Sequence, residues 1–266
     1  MFLPSIQIWA TFKRAVMKKH SPLFFLFLVA LTTNFSCHTS YRSAKLEYYN
    51  YRLNTDTPKD SAALALLKPY SDEVARTMND VVGTIAQTME KAQPEGSLGD
   101  WMADAYLYMA RQKFGTRVDG ALMNFGGIRL MQLPAGPITR GKVFELMPFD
   151  NLLILQEMNG AQLQQLLDHI ASRNGWPLAG ITMEIKDKKA VNVLVGGKPI
   201  DPSASYVIAN SDFVANGGDD AAMLRSIPQK NIGYLMRDAL FDYINTFKQA
   251  GNAIPLPAAN RVRYAQ

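Results

Sequence analysis

The sequence has one cysteine among its 266 residues, Cys37, so no disulfide bond can form within the chain. The fold must be held together by packing alone, unlike small secreted domains that depend on disulfides. Histidine is nearly as scarce, with three scattered examples, His20, His38 and His169. This supply of nitrogen ligands cannot build a binuclear metal site. We interpret His169 as a solvated or capping residue, with a general base as the remote alternative.

Two further absences narrow the function. The sequence contains no Gly-x-Ser-x-Gly nucleophile turn, no P-loop and no recognisable Ser/His/Asp set. Excess positive charge is confined to the beginning of the chain, because residues 1–37 hold four basic residues and no acidic one. The remaining residues, 38–266, hold 24 basic and 23 acidic residues. The sequence therefore predicts no catalytic residue, no metal ligand and no nucleic-acid groove in this chain.

Residues 1–36 have the pattern of a secretory signal, with Met17 as a candidate true start. Two lysines precede a short apolar run over residues 22–33, which falls below the ~20 residues that a membrane-spanning helix needs. Cys37 lies where a lipoprotein cleavage site would place it, although Asn34 stands where leucine is usual. We predict an exported protein anchored to a membrane by lipid on Cys37, with plain secretion as the alternative.

After the predicted lipidation site the chain divides into a tether and one domain. Residues 37–60 are polar and lack a sustained period, as is typical of a tether. Residues 61–266 are interpreted as a single domain that opens with a helix from Ser61 to about Asn79, in which Pro69 predicts a kink or a break. The other predicted helices are one with Ser97 as its N-cap, then 140–146, 162–171 and 232–247. The predicted strands cover 81–86, 121–123, 152–155, 181–186, 190–195, 206–209 and 261–264. This mixture favours an α+β fold with mixed β-sheets layered with helices.

Three loops carry the side chains that could recognise a ligand. After the predicted strand at residues 206–209 come the ring of Phe213, a Gly217-Gly218 pair that permits positive φ or close backbone approach, and the carboxylate of Asp219. The two other loops supply Asn124, Gly126, Gly127 and Arg129, and then Phe149 and Asn151. Two rings, a guanidinium, a carboxylate and two amides are what a nucleoside site needs.

Each of these residues also has a plainer explanation. Both phenylalanines could pack in the core, Arg129 could form a surface ion pair, and Asn124 and Asn151 could cap loops. Asp220, beside Asp219, is expected to serve the turn. The position of both rings in loops, next to glycine or proline, favours the binding interpretation.

Three segments, in this order and spacing, resemble the C-terminal domain of the 5′-nucleotidases, the relatives of UDP-sugar hydrolase. They are Asn124-x-Gly-Gly-Ile-Arg129, Pro148-Phe149-x-Asn151 and Asp212-Phe213-x-x-x-Gly-Gly-Asp219. Leu98-Gly99-Asp100 and Asp201-Pro202-x-x-x-Tyr206 also fit, and the resemblance covers roughly residues 62–265. It implies a 5′-nucleotidase C-terminal-domain-like fold that binds a nucleotide or nucleoside.

The resemblance also implies a role for each loop residue. Phe149 and Phe213 would clasp the base, and Asp219 would accept hydrogen bonds from the ribose hydroxyls. Asn124 would form a hydrogen bond near the base, and Arg129 would meet the sugar or the phosphate. Asn151 would support the same pocket. Three positions depart from the pattern: Phe125 replaces glycine, Asp100 replaces asparagine and Asp220 replaces glycine. The first predicts a stiffer loop, and the third predicts weaker phosphate binding.

Hydrolysis in this family belongs to a separate N-terminal metallophosphatase domain, whose two metals are held by Asp, His and Asn. No Asp-x-His or Gly-Asn-His-Asp run occurs in this sequence. We therefore predict the nucleotide-binding half of a split 5′-nucleotidase, with a separate metallophosphatase chain as partner. No cofactor is expected in this chain, and divalent metals are expected only in the partner. The alternatives are a membrane-tethered binder without catalysis and a degenerate scaffold.

Overall fold

The computed structural model describes residues 45, 47–52, 54 and 56–266. The predicted signal segment and the predicted lipidation site, Cys37, lie outside the described residues. The described residues before Ser61 form neither helix nor strand. From Asp60 to Gln266 the chain forms one compact unit, which contains all the predicted binding loops.

Helices and strands alternate irregularly along this unit. Within the described residues the α-helices are α1 Ser61–Met78, α2 Ser97–Phe114, α3 Arg140–Leu146, α4 Gly160–Ser172, α5 Asp212–Ala215 and α6 Met236–Gln249. The strands are β1 Val81–Ile85, β2 Met89–Glu90, β3 Gly120–Leu122, β4 Gln132–Leu133, β5 Gly136–Thr139, β6 Leu152–Asn159, β7 Leu178–Ala179, β8 Ile181–Lys186, β9 Lys189–Val195, β10 Lys198–Pro199, β11 Ser205–Ser211, β12 Gln229–Leu235 and β13 Val262–Tyr264. The predicted α+β class is confirmed.

A five-stranded mixed sheet lies at the centre, in the order β12-β6-β11-β3-β7. Strand β6 runs antiparallel to both β11 and β12, whereas β11 runs parallel to β3. A second, four-stranded sheet has the order β10-β9-β8-β13, and two short pairs, β1-β5 and β2-β4, complete the domain. The sheets are therefore mixed, as the sequence predicted.

The central sheet is buried on both faces. Along β11, Ala209 packs into a core cluster shared with α2 and α6, and its neighbour Ile208 packs into a second cluster shared with α4. Adjacent residues point to opposite faces because side chains alternate along a strand. The helix predicted over residues 162–171 is also confirmed, and α4 buries one apolar face formed by Leu163, Leu166, Leu167 and Ile170.

One predicted helix start and one predicted N-cap are wrong. The helix expected from residue 232 begins at Met236, because Gln229–Leu235 forms strand β12, whose pairing with β6 overrides the local helical pattern. The N-cap of α2 is Gly96, not Ser97, whose Oγ instead accepts a hydrogen bond from the backbone N–H of Glu90 at 2.9 Å. A Cβ at Gly96 would lie 2.3 Å from the backbone nitrogen of Ala92, which leaves room only for glycine.

Helix α1 also differs from its prediction. It continues through Pro69 without a break. None of its side chains is buried, so Leu64, Leu67 and Val74, which helical spacing places on one side, are exposed. Among the described residues, no helix combines the length and apolar character that a membrane crossing requires.

Asp100, one of the departures from the family pattern, is buried in α2 at 2% exposure. Burial raises the pKa of its carboxyl group to about 8; Arg261 opposes this rise, and the nearby acids Glu95 and Asp104 add to it. The carboxyl group binds its proton more tightly in the folded protein than in the unfolded chain, where an aspartate has a pKa of about 4. The stability that this proton contributes is complete below about pH 4 and is lost as the pH rises toward 8.

The Asp100→Asn substitution is expected to remove this pH dependence, because the amide has the shape of the acid but does not ionise. The stability of the variant relative to wild type should rise between pH 4 and pH 8 by up to about 1.4 kcal/mol per pH unit, and level off above pH 8. Urea unfolding at pH 5, 7 and 9 measures the difference. Asp187→Asn, on an exposed turn, is the matched control. A difference that is the same at all three pH values would contradict the prediction.

Candidate functional site

The three predicted loops meet at one cavity. Its volume is about 270 Å³, and it is lined by Asn124, Gly126, Gly127, Arg129, Phe149, Asn151, Phe213 and Asp219. All six predicted binding side chains and two of the four predicted loop glycines are therefore brought together. The other two glycines, Gly217 and Gly218, are not among the lining residues and lie in the turn between Phe213 and Asp219.

The strand directions of the central sheet explain why these loops converge. Asn124 follows the carboxyl end of β3, Phe213 follows the carboxyl end of β11, and Asn151 precedes the amino end of β6. Because β11 is parallel to β3 and antiparallel to β6, these three strand ends lie at the same edge of the sheet. The cavity is thus built at one edge of a rigid sheet by loops that are far apart in sequence.

Both phenylalanine rings are available to a ligand. Phe149 is 37% exposed and Phe213 is 44% exposed, so neither is a core residue. The ring of Phe213 packs on Gly218, where a Cβ would lie 2.4 Å from a ring carbon, and this contact explains the need for glycine there. The guanidinium carbon of Arg129 lies 5.6 Å from the centre of the Phe149 ring, within cation–π range.

Phe213 lies in the short helix α5 and not in a loop as predicted, whereas Phe149 lies in a loop. These two segments are tied together by a residue that the sequence analysis gave no role, Asp212. Its Oδ1 accepts hydrogen bonds from the backbone N–H of Leu152 at 3.0 Å and of Phe213 at 2.8 Å. One carboxylate oxygen therefore joins the end of the Phe149 loop to the start of α5. This link fixes the position of one ring-bearing segment relative to the other.

Arg237, which sequence reasoning missed, supports the Phe149 loop through hydrogen bonds. Its guanidinium donates to the backbone oxygen of Phe149 at 3.2 Å and to Asp150 Oδ1 at 2.6 Å, and lies 4.3 Å from the centre of the Phe144 ring. The side chain is almost fully buried in α6. No local pattern marks an arginine so far along the chain as a support for this loop.

The polar end of the cavity is organised around Asp219. Its Oδ2 accepts a 2.6 Å hydrogen bond from Nδ2 of Asn124, which is 6% exposed. A Cβ on Gly127 would lie 2.9 Å from Oδ1 of Asn124, so glycine leaves space for this amide. Among the described residues none donates to the other oxygen of the Asp219 carboxylate, which can accept a hydrogen bond from a ligand.

Two of the departures from the family pattern lie around the cavity and not among its lining. Phe125 packs beneath Lys91, whose Nζ lies 4.1 Å from the ring centre and donates to the backbone oxygen of Ile128 at 2.8 Å. Burial lowers the pKa of Lys91, and the positive charge of the nearby Arg129 lowers it further. Asp220 is exposed and forms an ion pair with Arg173, which reduces its repulsion of a bound anion.

A larger groove of about 480 Å³ lies beside α6, lined by residues that include Arg140, Asp238 and Asp242. The carboxylate of Asp242 already forms an ion pair with Lys113 and accepts a hydrogen bond from the Tyr234 hydroxyl. The groove has no glycine-rich loop, so the smaller cavity is the better candidate. Among the described residues, no group of three or more His, Cys, Asp or Glu side chains could hold a metal ion.

A mixed α+β architecture with a ring-lined cavity is typical of domains that bind small molecules. The chain belongs to the family described as "5'-nucleotidase, C-terminal domain", whose profile matches residues 74–226, more than half of the chain. The resemblance identified from the three sequence segments is therefore confirmed.

Individual relatives agree with this family membership. A 5'-nucleotidase of Vibrio cholerae is 28% identical over 219 residues, which cover 75% of this chain and 38% of the relative. Protein UshA of Yersinia enterocolitica is 28% identical over 192 residues, which cover 70% of this chain and 34% of the relative. The crystal structure of a 5'-nucleotidase precursor from Thermus thermophilus has the same fold, with a TM-score of 0.67 and 24% identity over 79% of this chain and 44% of that one. The chain thus spans less than half the length of each of these proteins.

Proposed function

We propose that this chain binds a nucleoside or nucleotide in the 270 Å³ cavity and presents the nucleotide to a separate metallophosphatase chain, which hydrolyses the phosphate ester. The observation that carries the proposal is the convergence of two exposed rings, a guanidinium, a carboxylate and two amides on one cavity. The rings supply stacking surfaces for a base, Asp219 supplies an acceptor for ribose hydroxyls, and Arg129 supplies a donor for phosphate.

The catalytic metals would belong to the partner chain. The described residues offer no group that fits a binuclear metal site, and His169 is engaged with a backbone carbonyl. The chemistry that remains for this chain is binding and orientation of the substrate, which lowers the entropic cost of bringing the ester to the metals.

The split enzyme is tested by two measurements on the same preparation. Calorimetric titration with adenosine and AMP is expected to give binding without a partner. Phosphate release from AMP should then be faster with both chains than with the metallophosphatase chain alone. Binding without any acceleration would leave the alternative, a binder that captures or senses nucleosides without catalysis. Absence of binding for both ligands would leave a degenerate scaffold.

Export and membrane anchoring through lipid on Cys37 are part of the same proposal. They rest on the sequence pattern alone, since Cys37 lies outside the described residues. An anchored chain would keep its cavity on the exported side of a membrane. Incorporation of labelled fatty acid into the wild type, but not into Cys37→Ser, is the expected result.

A further inference from the structure

The turn that carries Asp219 has an uncommon backbone. Asp219 and Asp220 both have positive φ values, 50° and 59°. Residues with a Cβ rarely adopt this left-handed region, and they keep it only when surrounding contacts hold them there. Some part of the fold must therefore stabilise the turn that places the Asp219 carboxylate at the cavity.

The carboxyl end of α4 provides these contacts. Nε2 of His169 lies 2.9 Å from the backbone oxygen of Asp219, and the guanidinium of Arg173 pairs with the carboxylate of Asp220. A carbonyl oxygen can only accept, so Nε2 of His169 carries the proton and donates it. The imidazole is held in turn by an edge-to-face contact with Trp176, with ring centres 5.7 Å apart and planes at 87°.

Asp219 is consequently fixed from two sides. His169 holds its backbone oxygen, and Asn124 holds one oxygen of its carboxylate. His169 is not part of the cavity lining, whereas Asp219 is. The hydrogen bond to Asp219 therefore connects His169 to the cavity.

We propose that His169 is a positioning residue that sets the preference of the cavity for sugars with free hydroxyl groups over deoxy sugars. This inference rests on the proposed function, because it requires a nucleoside in the cavity. The Asp219 carboxylate accepts from the sugar hydroxyls only if the turn holds it at hydrogen-bond distance from them. The rings depend on the turn less directly, because the Phe213 ring packs on Gly218 whereas His169 holds the next residue, Asp219.

The test compares the dissociation constants of adenosine and 2′,3′-dideoxyadenosine for wild type and variants. His169→Ala is expected to weaken adenosine binding by about 5- to 10-fold, the worth of one hydrogen bond, and to change dideoxyadenosine binding by less than about twofold. Asp219→Ala should abolish the preference between the two ligands. His169→Gln, whose amide can donate to the same carbonyl, should restore part of the preference. Gln165→Ala, at an exposed position of α4, is the control that should leave both ligands unaffected.

A merely structural role would produce a different pattern. If His169→Ala weakens both ligands equally, or weakens neither, the proposal is wrong although nucleoside binding stands. If wild type binds neither ligand, the proposed function itself fails, and the sugar preference fails with it. Hydrogen exchange without ligand gives a separate check: His169→Ala should increase amide exchange over residues 219–221 relative to Gln165→Ala. Unchanged exchange there would overturn the positioning role by itself.

Discussion

Replacing both Phe149 and Phe213 with alanine is expected to abolish measurable nucleoside binding while the domain stays folded. Stacking a base on an aromatic side chain is worth ~1–3 kcal/mol, so each single variant should weaken binding by about 5- to 150-fold. The two losses should roughly add if the rings contact opposite faces of the base. Both side chains are more than one-third exposed, so their removal costs the core little. Calorimetry with adenosine measures the affinities.

The controls separate stacking from general loss of apolar surface. Phe149→Leu and Phe213→Leu keep apolar contact but remove the flat π-face, so they should fall between wild type and the alanine variants. Tyr264→Ala removes a ring that is 54% exposed on β13, outside the cavity lining, and should leave the affinity unchanged. If the double alanine variant binds adenosine as wild type does, the rings do not hold the base and the site assignment is wrong.

Replacing Arg261 with methionine is expected to destabilise the domain by about 3 kcal/mol, the low end of the range for breaking a buried ion pair. Arg261 is 8% exposed and donates to both carboxylate oxygens of Asp104 at 2.7 Å. It also donates to the backbone oxygens of Leu178 at 2.8 Å and Ala258 at 3.0 Å. The substitution leaves these acceptors without a donor, but Asp104 is about one-third exposed, so water recovers part of the loss.

A second arginine on the same terminal segment provides the comparison. Arg263 forms an ion pair with Glu184, in which the Arg263 side chain is 63% exposed and the Glu184 side chain is 18% exposed, so the guanidinium, unlike that of Arg261, is largely in water. Arg263→Met should therefore cost less than about 1 kcal/mol. Urea unfolding at one pH measures the stability of both variants. The double variant Arg261→Met/Asp104→Leu should recover part of the lost stability, because it removes the carboxylate that the single substitution leaves unpaired. Equal costs for the two arginine variants would show that Arg261 does not anchor the chain end.

Local patterns predicted those parts of the fold that local chemistry controls. The amphipathic spacing of α4 and the alternating hairpin strands β8 and β9 depend on neighbouring residues, so the sequence alone was sufficient. The start of α6 was predicted wrongly at residue 232, because residues 229–235 form strand β12, which is hydrogen-bonded to β6. The exposure of α1 was missed for the same kind of reason, since an apolar stripe does not reveal whether another element covers it.

The residues that support the site from outside its lining could not be identified from the sequence. Arg237 reaches the Phe149 loop across 88 positions of sequence, and His169 reaches Asp219 across 50. A lone arginine or histidine on a helix has no local signature of such contacts. The residues that line the cavity were identifiable because glycine pairs, rings and amides cluster within short segments, and those segments match a family.

The sequence by itself determined the class of fold, the family and the three segments that carry rings, amides, guanidinium and carboxylate. Only the tertiary structure decided that these segments share one cavity. The physical reason is strand direction: β3 and β11 run parallel and β6 runs antiparallel to β11, so their loops emerge at one edge of the sheet. Spacing along the chain holds no information about that arrangement, because it depends on hydrogen bonds between strands that lie tens of residues apart.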